Sequence, residues 1–151
     1  MDRAARLAAT ATHMLLRLFW FVTRPATLGA HALALTPERK VVLVKLRYAP
    51  GWRVPGGGRS PGEDPVDAAI RELREEIGLV SHGDARLARD FEESVDFRRD
   101  TASLVVVRDV RYRPQRWNWE VERVCETELD SLPDDISPAS RRWIEALRPL
   151  L

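Results

Sequence analysis

The sequence predicts an α+β domain in which a mixed β-sheet lies between helices, with an amphipathic helix appended at the N-terminus. Three observations carry this: a central helix that marks both of its ends, short alternating apolar runs on either side of it, and a second capped helix near the C-terminus. At 151 residues, with 44% hydrophobic and 31% charged residues, the chain is long enough for one core and too apolar for wholesale disorder.

Residues 1–24 come first. At about 100° per residue, Arg3, Arg6, Thr10, His13, Arg17 and Arg24 share one side, and Leu7, Ala11, Met14, Leu15, Leu18 and Val22 share the other. The apolar run Phe19–Val22 is far too short to span a bilayer. Ala30-His31-Ala32 has the small residues of a signal-peptide cleavage site, but cutting there would remove the start of the first strand. The helix, residues 1–27 with its exit, is therefore expected to pack on its own domain or on a second copy as a homodimer, or to lie on an anionic membrane surface. Residues 28–151 form the expected domain.

Pro25 ends the helix, and the runs at 31–35 and 40–47 read as strands joined by the turn Thr36-Pro37-Glu38-Arg39. A short strand at 52–54 leads into Gly56-Gly57-Gly58, read as a loop that a ligand can approach closely. Asp64 is an N-cap, Pro65 suits the first helical position, Asp67 favours the positive end of the helix dipole, and Gly78 supplies a left-handed stop, so a helix runs over 65–77. Strands follow near 85–92, 103–111 and 121–128. Ser137 and Pro138 then open a closing helix that ends near 147.

A net charge of +1 argues against a protein that coats nucleic acid. The single cysteine, Cys125, excludes an internal disulfide, fits a reducing, cytoplasmic setting, and reads as a buried small hydrophobe. The central helix is less ordinary. Val66, Ile70, Leu73 and Ile77 form a packing side, while Glu72, Glu75 and Glu76 gather on the other. Their i,i+3 and i,i+4 repulsions cost roughly 0.2 to 0.5 kcal/mol each, which pairing of Asp67 and Glu75 with Arg71 offsets only in part. A hard divalent cation would remove the conflict, and a merely acidic surface is the competing reading. Glu63, just before the helix, could swing toward the same place.

Read from Gly57, the stretch carries Glu63, Arg71, Glu72, Leu73, Glu75, Glu76, Gly78 and Leu79 in the pattern G-x5-E-x7-R-E-U-x-E-E-x-G-U, with U a bulky aliphatic residue. It resembles the signature of the Nudix hydrolases, MutT-like enzymes, with every required position filled. Trp52-Arg53-Val54-Pro55-Gly56-Gly57 is similar to the family's lead-in, and residues 120–133 resemble its late strand and "LDxLP" segment. The resemblance implies the Nudix fold, an α/β/α sandwich, and a Mg²⁺-dependent pyrophosphatase, with Mn²⁺ as the substitute metal. Its small-molecule substrate would be a nucleoside diphosphate linked to another group.

The resemblance makes Glu72, Glu75 and Glu76 metal ligands, with Gly57, and Glu120 the added ligand ahead of Glu122. Glu72, Glu92, Glu93 or Glu120 would be the base. Arg71 is expected to hold the glutamates, and Arg47 with Gly56, Gly57 and Gly58 to meet the substrate. Tyr48, Phe97, Trp117 and Trp119 could stack on a base or belong to core and rim. His13, His31 and His82 form no ligand spacing. No familiar substrate signature fits. A catalytically idle Nudix domain acting as a nucleotide sensor or interaction module is the alternative. A Nudix-fold isomerase is disfavoured by the single, poorly placed cysteine.

Overall fold

The computed structural model describes residues 26–95 and 98–151, without the side chains of 26, 27, 93–95, 98 and 99. The expected N-terminal helix over 1–24, with its membrane or dimer contacts, and Phe97 therefore lie outside the described residues.

Strands β1 (Ala26–Ala34), β2 (Val41–Leu46), β3 (Trp52–Arg53) and β4 (Gly56–Gly58) precede helix α1 (Pro65–Ile77). After it come β5 (Leu79–Ser81), β6 (Ala85–Val95), β7 (Arg98–Val107), β8 (Arg111–Tyr112), β9 (Val121–Thr127), helix α2 (Pro138–Leu147) and a 3-10 turn at Arg148–Leu150. A four-stranded sheet runs β4-β1-β7-β6, a three-stranded sheet β3-β2-β9, and a small ladder pairs β5 with β8. Within the main sheet β1 and β7 run parallel and the other neighbours antiparallel, so it is mixed.

Alternation along the strands builds two cores, because successive side chains of a strand point to opposite faces. Ala30, Ala32 and Ala34 of β1, Val42 and Val44 of β2, and Val105 and Val107 of β7 join Ala68, Ala69, Ile70, Leu73 and Ile77 of α1. Leu33, Val41, Leu43, Leu104 and Val106 turn the other way, to Trp143, Ile144 and Leu147 of α2. The sheets are thus sandwiched between helices, in agreement with the expected α+β class.

The helix ends follow local chemistry. The Asp64 side chain accepts from the N–H groups of Val66 and Asp67, and Gly78 takes a φ of 70° as the left-handed cap. The Ser137 side chain caps α2 by accepting from Ser140 N–H.

Three expectations need correction. The strand read at 103–111 stops at Val107. Arg108 turns back onto the β5–β6 connection through bonds with Gly83 and Asp84, and Asp109 sits at a φ of 54°, which ends a pleated strand. The glycine loop is strand β4, with Gly56, Gly57 and Gly58 opposite His31, Ala30 and Gly29 of β1. Cys125 is only half-buried, packed against the α2-side core.

Candidate functional site

Strand β4 closes over the acidic side of α1, and this changes what those acids are. Glu72 and Glu76 are 7% and 5% exposed, while the Glu75 side chain is 59% exposed. The three acids gathered on the wheel are two buried carboxylates and one exposed one, because the glycines let a backbone cover that side of the helix. A Cβ on Gly57 would lie 2.8 Å from Glu72 Oε2, a gap that admits only hydrogen. Gly56, at a φ of 149°, donates its N–H to Glu76 Oε2 at 2.8 Å.

Arg71 organises the other carboxylates. Its Nη1 lies 2.6 Å from Glu72 Oε1 and 3.6 Å from Glu75 Oε1, and its Nε lies 3.1 Å from Glu63 Oε1. Nη2 donates to Gly58 O at 2.9 Å and to Glu63 Oε2 at 3.3 Å. Glu63 does come to the site, where its carboxyl is held below the usual range by Arg71 and then by Ser60 N–H. Asp67 makes no pair with Arg71; its backbone N–H serves the Asp64 cap instead.

Burial raises both inward carboxyls. Glu76 is pushed up to about 8, chiefly by desolvation; Glu72 and Glu120 add to this, and Gly56 N–H and Arg53 oppose it. Glu72 is raised by burial against the opposing pull of Arg71, with Glu75 and Glu120 raising it further. Glu120, at the entrance to β9, is thus in the field of both.

Among the described residues, no three acidic, histidine or cysteine side chains converge closely enough to chelate an ion as they stand. One oxygen of Glu72 is spent on Arg71, and one of Glu76 on Gly56. The donor set nevertheless fits a hard divalent cation. It is all oxygen, and its carboxyls, raised chiefly by burial and further by one another, are ones whose charge such an ion would favour.

The remaining candidates divide. Arg47 Nε donates to Asn118 O at 3.0 Å, so that guanidinium is partly committed to the β8–β9 loop. Glu92 lies on β6, at the opposite edge of the main sheet from β4, as does the backbone of Glu93. Tyr48, Trp117 and Trp119 are exposed at 69%, 58% and 80%, and the two tryptophan rings meet edge to face at 4.8 Å. The Tyr48 hydroxyl is pushed up by partial burial and then by Glu120 and Glu76, which puts it beside the carboxylates.

Two residues escaped the sequence reading. Arg53 Nε is buried without a partner, and Nη2 reaches only Pro50 O at 3.3 Å, while its charge acts on Glu76 and Tyr48. Its place after Trp52 in the lead-in was the available signal. Asn118 makes a local turn with Glu120 and Val121, but its ties to Glu75 and Arg47 lie far along the chain and nothing in the sequence marks them.

A two-helix sandwich with buried glutamates on α1 under a glycine strand defines the class, and comparison with known proteins supplies the family. The NUDIX domain matches residues 25–147, and the chain belongs to that family. It is 42% identical over 52 residues to a Bacillus subtilis (strain 168) protein described provisionally as an 8-oxo-dGTP diphosphatase, covering 34% of this chain and 35% of that one. It is 45% identical over 70 residues to diphosphoinositol polyphosphate phosphohydrolase 3-beta of Bos taurus, covering 46% and 42%. The chain thus spans less than half the length of these relatives. A bifunctional NMN adenylyltransferase/ADP ribose pyrophosphatase from Francisella tularensis, solved with AMP and a Mn ion, shares the fold. Its TM-score is 0.71 at 16% identity, over 97% of this chain and 48% of that one.

Proposed function

We propose that the chain is a Mg²⁺- or Mn²⁺-dependent diphosphatase that hydrolyses a pyrophosphate carrying a nucleoside on one side. The observation that supports this best is the buried Glu72–Glu76 pair beneath Gly57, set inside a complete family signature and oriented by Arg71 and Gly56 N–H. Glu72, Glu75, Glu76 and Glu120, with Gly57, would hold the metal. When bound, it neutralises the diphosphate oxygens and polarises phosphorus.

The protein's own part is to position and to take a proton. Arg71 fixes Glu72, and Gly56 fixes Glu76, so neither carboxylate has to reorganise as the reaction proceeds. Water attacks one phosphorus, the bridging P–O bond breaks, and Glu72 or Glu120 accepts the proton. With Arg71 committed to the glutamates, Arg53, whose charge acts on Glu76, and the outer nitrogens of Arg47 are the cations we assign to the phosphates.

The nucleoside is favoured by Trp117, Trp119 and Tyr48. Tyr48 beside the carboxylates, and exposed tryptophans on the loop that leads to Glu120, suit a planar base, where stacking is worth about 1–3 kcal/mol, and have less to offer an inositol ring. The relative described provisionally as an 8-oxo-dGTP diphosphatase, whose named substrate carries a base, is therefore the better guide than the diphosphoinositol enzyme.

A panel of nucleoside triphosphates, nucleotide sugars, ADP-ribose, dinucleotides, coenzyme A and diphosphoinositol polyphosphates, assayed with Mg²⁺ and with Mn²⁺, tests the reading. Turnover of a base-bearing substrate that disappears in Glu76→Gln is the expected result. Silence across the panel would transfer weight to the idle sensor domain, and full activity in Glu76→Gln would remove the metal assignment.

A further inference from the structure

Of residues 113–120, which join β8 to β9, Asn118 alone is not exposed. The loop's first residue is tied to the end of α1, where Arg113 N–H donates to Gly78 O at 2.9 Å. Near its other end Asn118 makes the second tie: Nδ2 donates to Glu75 O at 2.8 Å. That carbonyl belongs to the last turn of α1, which has no N–H of its own to offer it.

The other atoms of Asn118 face the opposite way. Oδ1 accepts from Glu120 N–H at 2.8 Å and from Val121 N–H at 2.9 Å, the local turn that asparagine makes readily. The Asn118 carbonyl accepts from Arg47 Nε, and Arg47 N–H donates to Glu120 O at 2.8 Å. Both backbone polar groups of Glu120 are therefore held, one by Asn118 and one by a residue bonded to Asn118. One side chain joins the turn of α1 that carries Glu75 and Glu76 to the backbone that carries Glu120.

We propose that Asn118 is a positioning residue that sets Glu120 against Glu72 and Glu76 and so completes the metal site. This rests on the reading of Glu120 as a ligand given above. Free of this bridge, the loop residues around Glu120 would have to be ordered at the moment of binding, and ordering costs about 1–2 kcal/mol per residue. Groups that orient a metal's ligands are commonly worth about tenfold to a hundredfold in affinity.

The test is Mn²⁺ binding to the full chain, read by electron paramagnetic resonance, for wild type, Asn118→Ala, Glu120→Gln and the double variant. The expected outcome is about a tenfold loss for each single variant and no further loss when Asn118→Ala is added to Glu120→Gln. Asn118→Ser, whose hydroxyl can still accept from the Glu120 and Val121 amides, is expected to recover part of the affinity, and it carries the test if the alanine variant fails to fold.

Equal losses from Asn118→Ala with and without Glu120 would make Asn118 merely structural and overturn the proposal. Wild-type affinity in Asn118→Ala and Asn118→Ser, with Glu120→Gln weakened, would overturn it while leaving the ligand reading intact. Wild-type affinity in Glu120→Gln would overturn both, since Asn118 would then have no ligand to place.

Discussion

Replacing Gly57 by alanine puts a methyl carbon 2.8 Å from Glu72 Oε2 and 2.9 Å from its Cδ and Oε1. Ordinary contacts begin near 3.5 Å, so the carboxylate has to withdraw by ~0.7 Å. It has little room to do so: Glu72 is 7% exposed, and Oε1 is 2.6 Å from Arg71 Nη1. Overfilling of this kind costs about 1–3 kcal/mol, and at about 3 °C per kcal/mol for a chain of this length the melting point should fall by roughly 3–9 °C.

Gly58 is the matched control. It has open space around its Cβ position, and neither glycine has a positive φ, so backbone strain does not separate the two substitutions. Gly58→Ala should be neutral or gain up to about 1 kcal/mol from the less flexible unfolded chain. Thermal unfolding of both variants, with and without Mn²⁺, is the assay. Equal melting points, or a Gly57→Ala protein that keeps the full Mn²⁺-dependent rise, would refute the claim that glycine is required by the Glu72 carboxylate.

Glu76, with a folded pKa of about 8, is favoured in its protonated form, so in metal-free protein its contribution is complete below the ordinary value of 4.5 and is lost as pH rises through 8. Glu76→Gln should therefore stabilise the metal-free chain relative to wild type at pH 8 and much less at pH 5, and Mg²⁺ binding to wild type near pH 7 should release protons, measurable by calorimetry in buffers of different ionisation enthalpy. His31 has the opposite sign: burial, then Arg53, lowers it to about 4, so stability is lost as pH falls from 6.5 toward 4, by at most about 3 kcal/mol. Denaturant melts of wild type and His31→Leu across that window should diverge, and parallel curves would remove His31 as the cause. The Ser140 hydroxyl accepts from buried Val54 N–H at 3.0 Å, so Ser140→Ala should cost about 1–3 kcal/mol in denaturant unfolding while turnover is retained.

How far these features could be read beforehand depended on how local they are. Both ends of α1 were legible because Asp64, Pro65 and Gly78 act within a few residues of themselves, and β2 and β9 were legible from their own apolar residues. Strand β4 was hidden, since three glycines have no strand preference and the ladder is imposed by β1. The inward turn of Glu72 and Glu76 was hidden for the same reason: a helical wheel separates apolar from charged residues and cannot know that a backbone covers the charged side. The end of β7 at residues 98–100 has no apolar residue to signal a strand, and its pairing with residues 93–95 of β6 is not marked by local pattern. The Asn118 bridge spans 43 and 71 positions to Glu75 and Arg47, and no periodicity reports such a tie.

Ala30, Ala32 and Ala34 sit on the α1 side of β1, facing a helix that offers Ala68 and Ala69 in return. These small side chains act as a spacer that sets the height of α1 above the sheet, and with it the depth at which Glu72 meets Gly57. A larger residue in that row would raise the helix and all its carboxylates together. Selection for activity is thus expected to reach into this row of the core, where a change in volume would register as a change in chemistry before it registered as unfolding.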